Sequence, residues 1–168
     1  MNGGNNMGMV QAEITLINSW DEGKERSGII GASEIRKVTI TAVVDTGAAT
    51  LVINEEIRKK LGLEIKSHRI VTLADGSKKD YSMTEPVTVM WKNRDTVCSA
   101  YVLPNSPCVF LGAIPLEGLD LTINPKRQEL IGAHGEEQTG YVFYCGGNFV
   151  AQCGGNFVAK CAGNFVAR

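Results

Sequence analysis

The chain is short of the features that mark several common protein classes. No apolar run approaches the ~20 residues of a membrane-spanning helix, so no membrane partner is expected. The first eight residues, Met1-Asn2-Gly3-Gly4-Asn5-Asn6-Met7-Gly8, lack the charged and apolar blocks of a secretion signal. They read as a flexible N-terminus (residues 1–8), and a cytoplasmic location is expected. Net charge is almost absent, with 17 Lys and Arg against 18 Asp and Glu. That balance points away from nucleic acid and from anionic membrane surfaces. Arg58-Lys59-Lys60 and Lys78-Lys79 read as solvated faces. Histidine is limited to His68 and His134, each alone in its surroundings. No Cys-x-x-Cys or His-x-x-x-His spacing suggests zinc, and no glycine-rich phosphate loop follows a strand. No metal or organic cofactor is expected. The 5 cysteines, at 98, 108, 145, 153 and 161, are odd in number and three of them sit in a repeat. They do not form a disulfide framework; Cys98 and Cys108, in apolar strand contexts, are expected to be buried free thiols.

What the chain does have is one carboxylate in a distinctive setting. A β-branched run, Val38 to Val44, leads directly into Asp45-Thr46-Gly47-Ala48-Ala49-Thr50, and a second apolar run, Leu51 to Ile53, follows. This pattern puts an acid on a tight turn at a strand end. Gly47 lets the backbone bend there, and the Thr46 hydroxyl can fix the loop. Taken alone, the tripeptide also fits an ordinary strand-to-turn aspartate.

The downstream sequence divides into short elements. Asn54 to Gly62 reads as a short helix with Asn54 as cap, acids in the first turn, bases in the last and Gly62 as stop. His68–Leu73 and Lys78–Met83 flank Ala74-Asp75-Gly76-Ser77, and Asp-Gly between strand-like runs signals a hairpin. Val87–Trp91 and Thr96–Leu103, about the polar turn 92–95, read as two more antiparallel strands. Cys108 to Leu116 contains an apolar strand ending in Leu111-Gly112. Leu119–Asn124 and Gln128–Ile131 read as a closing hairpin around Pro125-Lys126-Arg127.

Asp45-Thr46-Gly47-Ala48 resembles the active-site loop of aspartic proteases. Their chemistry needs two facing carboxylates, but this chain carries one such loop. Asp75-Gly76-Ser77, the nearest second candidate, lacks the Thr and the preceding doubled valine. The order of Asp loop, hairpin and Leu-Gly strand is similar to that of retropepsin-like proteases, over roughly residues 9 to 133. The resemblance implies an all-β, closed barrel with one or two short helices, acting as a homodimer with its site on the two-fold axis. It implies an aspartic endopeptidase acting on a peptide or protein substrate. Asp45, Thr46 and Gly47 would form the catalytic loop. Ala48 and the flap residues Ala74, Asp75, Gly76 and Ser77 would bind substrate. Ala113 departs from the pattern, standing where Arg or Asp is common. A plain surface hairpin is the alternative to a flap. A non-catalytic peptide-binding or leader domain is the alternative to an enzyme.

The C-terminal part is of a different kind. A polar, acidic linker (134–144) precedes three near-identical octads (145–168), which begin at Cys145, Cys153 and Cys161 and carry Phe149, Phe157 and Phe165. Such paired-glycine repeats, with no distinct packing partners, are expected to be disordered. Three readings stay open. The repeats are a neutral tandem duplication, a β-prone self-association strip, or the core of a ribosomally made, post-translationally modified peptide precursor. In the last case a maturase is a partner, and these cysteines and phenylalanines are candidate modification sites.

Overall fold

Period-two burial builds the framework. Strand β1 (Gln11–Asn18) turns Ala12, Ile14 and Leu16 inward and leaves Gln11 and Glu13 exposed, as a half-buried strand requires. The computed structural model describes residues 9–72, 76–135, 142–145 and 158–161. It divides into two units, Met1–Gln138 and Thr139–Arg168.

In the first unit β1 pairs antiparallel with β2 (Lys37–Val44) on one side and with β5 (Lys78–Trp91) on the other. The remaining strands of this sheet are β3 (Leu51–Ile53), β4 (Ile65–Thr72), β6 (Arg94–Val102) and β7 (Val109–Leu111). Their order is β1-β2-β7-β3-β6-β5-β4, and the β1–β5 pairing closes six of them into a barrel. Closure satisfies the strand edges around a core that includes Leu16, Ala42, Leu51, Val87, Ala100 and Leu111. β4 hangs from the outer side of β5. The all-β closed barrel expected from the sequence is therefore present.

The helix after β3 forms as expected. It is α2 (Glu55–Leu61), counting α1 (Ser19–Arg26) before it. The Asn54 side chain accepts from the Ile57 amide at 3.0 Å, and Gly62 ends the helix in the left-handed region at φ 59. Helix α1 carries no signal singled out in the sequence. Asn18 caps it, accepting from the Trp20 and Asp21 amides, and donates to the Leu61 carbonyl at 2.9 Å. Buried Asp21 accepts from Arg36 Nε at 2.6 Å and Nη2 at 2.7 Å. Those bonds hold its carboxyl below the usual range, against the opposing effect of burial.

Two expected boundaries differ. Lys78–Met83 and Val87–Trp91 are one strand, because the chain passes Pro86 through a register shift against β6. At that irregularity the Ala100 amide donates to the Thr84 hydroxyl at 3.1 Å. The turn at 92–95 shrinks to Lys92-Asn93, and Arg94 begins β6 opposite Trp91. Cys98 is buried as expected, but Cys108 is only half-buried; both are free thiols.

After β7 come helix α3 (Ala113–Gly118) and the hairpin β8 (Leu121–Asn124) and β9 (Glu129–Gly132). Arg94 is wholly buried. It donates to Asp120 Oδ2 at 2.9 Å and to the carbonyls of Leu119 at 3.0 Å, Asp120 at 2.8 Å and Gly135 at 2.5 Å. His134 Nδ1 lies 2.6 Å from the other Asp120 oxygen. In the second unit, β10 (Val142–Cys145) and β11 (Val158–Cys161) pair in parallel, with Cys145 and Cys161 in register. The rest of the repeats, where disorder is expected, lies outside the described residues. No helix among the described residues is long and apolar enough to cross a membrane.

Candidate active site

The site starts where β2 ends. β7 lies parallel to β2 with Val44 opposite Leu111, and the Asp45 amide extends that ladder by donating to the Leu111 carbonyl at 3.0 Å. The chain then turns, and the Ala48 amide donates to the Asp45 carbonyl at 3.1 Å. The Gly47 amide donates to Asp45 Oδ1 at 2.9 Å, which orients the carboxylate. Asp45, Thr46 and Gly47 are exposed and Ala48 is half-buried.

The loop is clamped from behind. The amides of Ala113 and Ile114, entering α3, donate to the carbonyls of Ala48 at 2.9 Å and Ala49 at 3.0 Å. Gly112 makes this approach feasible, since a Cβ there would lie 2.5 Å from the Ala48 oxygen. Buried Thr50 donates its hydroxyl to the Ser99 carbonyl at 2.9 Å, tying the loop to β6.

Beside the loop lies an open groove of about 220 Å³, lined by Ala49, Thr50, Met83, Val97, Cys98, Ser99, Tyr101 and Ile114. Val97 and Ile114 are each 55% exposed, though apolar. Burial pushes the Cys98 thiol up, partly offset by hydrogen bonds involving Thr50 and Leu51, so it stays a neutral thiol rather than a nucleophile. The lining residues were not singled out in the sequence. The signal available was the alternation of β6, whose Cys98, Ala100 and Val102 are buried while Val97, Ser99 and Tyr101 face the groove.

The expected hairpin is β4–β5, paired from Ile65 opposite Thr84 to Thr72 opposite Lys78. Gly76 is exposed at its tip with φ 79, and Ser77 is half-buried. The candidate substrate-binding residues Ala74 and Asp75 lie outside the described residues. So do the candidate modification sites Cys153, Phe149, Phe157 and Phe165, whereas Cys145 and Cys161 end β10 and β11. Among the described residues no cluster of His, Cys, Asp and Glu is arranged to hold a metal ion.

With the geometry in place, three comparisons bear on the chain. Residues 32–113 match the family described as gag-polyprotein putative aspartyl protease, a span that holds Asp45, the hairpin and Leu111-Gly112. No curated protein matches. A crystal structure of a retropepsin-like aspartic protease from Rickettsia conorii is similar at 20% identity, covering 71% of this chain and 80% of that one, with a TM-score of 0.47. The family match agrees with the resemblance to aspartic proteases over residues 32–113.

Proposed function

We propose that this retropepsin-like aspartic protease domain is an active endopeptidase whose site is completed when two copies bring their Asp45 loops together. One observation carries the reading. Asp45 is an exposed carboxylate, oriented by the Gly47 amide at 2.9 Å, on a loop clamped by Leu111 and Ala113. Such rigid presentation suits a reacting group. Each chain supplies one such loop, so the second carboxylate comes from the partner copy.

Two carboxylates at close range do not both stay ionised, and one proton is shared between them. The ionised one takes a proton from a water between them, and the water oxygen bonds to the scissile carbonyl carbon. The protonated one gives its proton to the carbonyl oxygen. The resulting tetrahedral diol gives one hydroxyl proton to the ionised carboxylate as its C=O re-forms and its C–N bond breaks, and the leaving nitrogen takes the proton held by the other carboxyl, which restores the singly protonated dyad. Thr46 holds the two loops across the axis, and the β4–β5 flap closes over the peptide and excludes water.

The test is hydrolysis of a peptide library by the wild type and by Asp45→Asn. An amide cannot serve as the base, so the variant should retain its fold and lose cleavage. Equal activity in both would end the assignment.

A second reading concerns the tail. Its three near-identical octads fit a modified precursor core with the barrel as its leader, as they fit a neutral tandem duplication. Mass spectrometry of the protein from its native host should then show hydrogen-pair losses at Cys145, Cys153, Cys161 or the three phenylalanines. An unmodified mass returns the tail to the duplication reading.

A further inference from the structure

The flap hairpin carries different chemistry on its two faces. Directly opposed residues of an antiparallel pair share a face, and successive residues alternate. One face holds His68 opposite Ser82, Ile70 opposite Asp80, and Thr72 opposite Lys78. The other holds Ser67 opposite Met83, Arg69 opposite Tyr81, and Val71 opposite Lys79. Met83 lines the groove with Ala49, Val97 and Ile114, so the second face is turned toward the site. On that face Ser67, Val71, Tyr81 and Met83 are half-buried and the long side chains of Arg69 and Lys79 are exposed; on the other, all but half-buried Ser82 are exposed.

The site-facing set therefore has two cations, Arg69 and Lys79, and no carboxylate. Asp80, the one carboxylate in the paired stretches 65–72 and 78–84, lies on the far face, 4.0 Å from His68 Nδ1. Neither Arg69 nor Lys79 has an ion-pair partner among the described residues. A peptide held between this face and the apolar groove meets positive charge above and hydrocarbon below.

We infer that Arg69 and Lys79 are specificity-determining residues that favour peptides in which acidic residues stand next to an apolar, aromatic stretch. The inference rests on the protease reading for what the groove holds. The chain itself contains a sequence of this kind, Glu136-Glu137-Gln138-Thr139-Gly140-Tyr141-Val142-Phe143-Tyr144, which supplies a probe. Solvent-exposed charge pairs contribute little each and are screened by salt, so the preference is a factor of about three to ten at low ionic strength.

Two synthetic nonapeptides test this, one with the sequence of residues 136–144 and one with both glutamates replaced by glutamine. The full-length wild type should cleave the glutamate peptide about three to ten times more efficiently in kcat/KM, and about 0.5 M salt should remove the difference. The double variant Arg69→Gln, Lys79→Gln should cleave both peptides alike, while Arg69→Lys, Lys79→Arg should keep the preference. Equal cleavage by the wild type, or a preference that survives the Gln variant, overturns the inference. The same peptides, fluorescently labelled and titrated against Asp45→Asn, read the preference without chemistry. Equal affinities there overturn it as well. A wild type that cleaves neither peptide, with the binding preference intact in Asp45→Asn, overturns the endopeptidase reading and leaves the charge selection standing.

Discussion

A Cβ added to Gly112 would sit 2.3 Å from the carbonyl oxygen of Thr50. The obstacle is backbone on both sides, since the Ala48 oxygen is almost as near, so neither neighbour can swing away. Gly112→Ala must therefore push α3 off the Asp45 loop. Cleavage should drop by at least about 100-fold, the scale of a reacting group displaced by about 1 Å. Circular dichroism should still report the barrel. Activity within a few-fold of wild type would show that the loop does not need this contact.

Activity should depend on concentration. If each chain supplies one carboxylate, specific activity falls on dilution as copies separate, and a peptide substrate shifts the midpoint by mass action. Sedimentation alongside the assay checks this. A fully active monomer would overturn the shared site.

Arg94 joins two distant pieces of chain, Leu119-Asp120 and Gly135, from the interior. Replacing it with Met takes the arginine from Asp120, which keeps only His134, and takes a donor from three carbonyls, of which that of Asp120 keeps the Ala133 amide. Breaking a buried ion pair from one side costs about 3 kcal/mol or more, so chemical denaturation should show a loss of that order. The same arginine extends the anchored part of the domain to Gly135, beyond the boundary at 133 read from sequence. A chain ending at Glu137 should melt like the full-length protein, and one ending at Ala133 should melt lower.

Asp21 predicts the acid limb of stability. Its bonds to Arg36 depress the carboxyl in the folded state, so the unfolded chain binds the proton more readily. The stabilisation is complete above the ordinary aspartate value of about 3.9 and is lost as pH falls through the lower folded value. Arg36 is 43% exposed, which places the loss in Asp21→Asn near the low end for charged hydrogen bonds, about 1.5 kcal/mol at neutral pH. Thermal melts from pH 7 to pH 2 should show the two proteins converging as pH falls. Parallel curves would mean that Asp21 does not titrate with unfolding.

The parts of the site that were legible in the sequence are those with local signals. Asp45-Thr46-Gly47 is a turn between two apolar runs. Asn54 and Gly62 bracket a helix by cap chemistry. Asp75-Gly76 separates two strand-like segments. Each is a short-range preference of the backbone that tertiary structure had no reason to override. Arg94 was legible only as part of a polar turn, because its partners lie 25 to 41 residues away. Met83, Val97 and Ile114 escaped for a similar reason. Which face of a strand meets the site depends on register, and the shift between Met83 and Pro86 cannot be placed without the partner strand. Helix α1 escaped because its eight residues, with Trp20 the one large apolar side chain, have no apolar period to reveal them; Asn18 and Asp21 hold it through contacts to Leu61 and Arg36.

Barrel closure also sets the order in which the chain can fold. β1 needs β5, so Thr15 waits for Met90, and β2 and β3 are bridged only by β7, so Val52 waits for Phe110. No nascent segment ending before about residue 111 contains a closed ring. Until then the ends of an open, apolar sheet are unpaired, the state in which strand-rich chains associate wrongly. During synthesis the Asp45 loop is made early but positioned late. Its amide finds the Leu111 carbonyl only as the last barrel strand arrives, so an assembled Asp45 loop also reports that the barrel has closed.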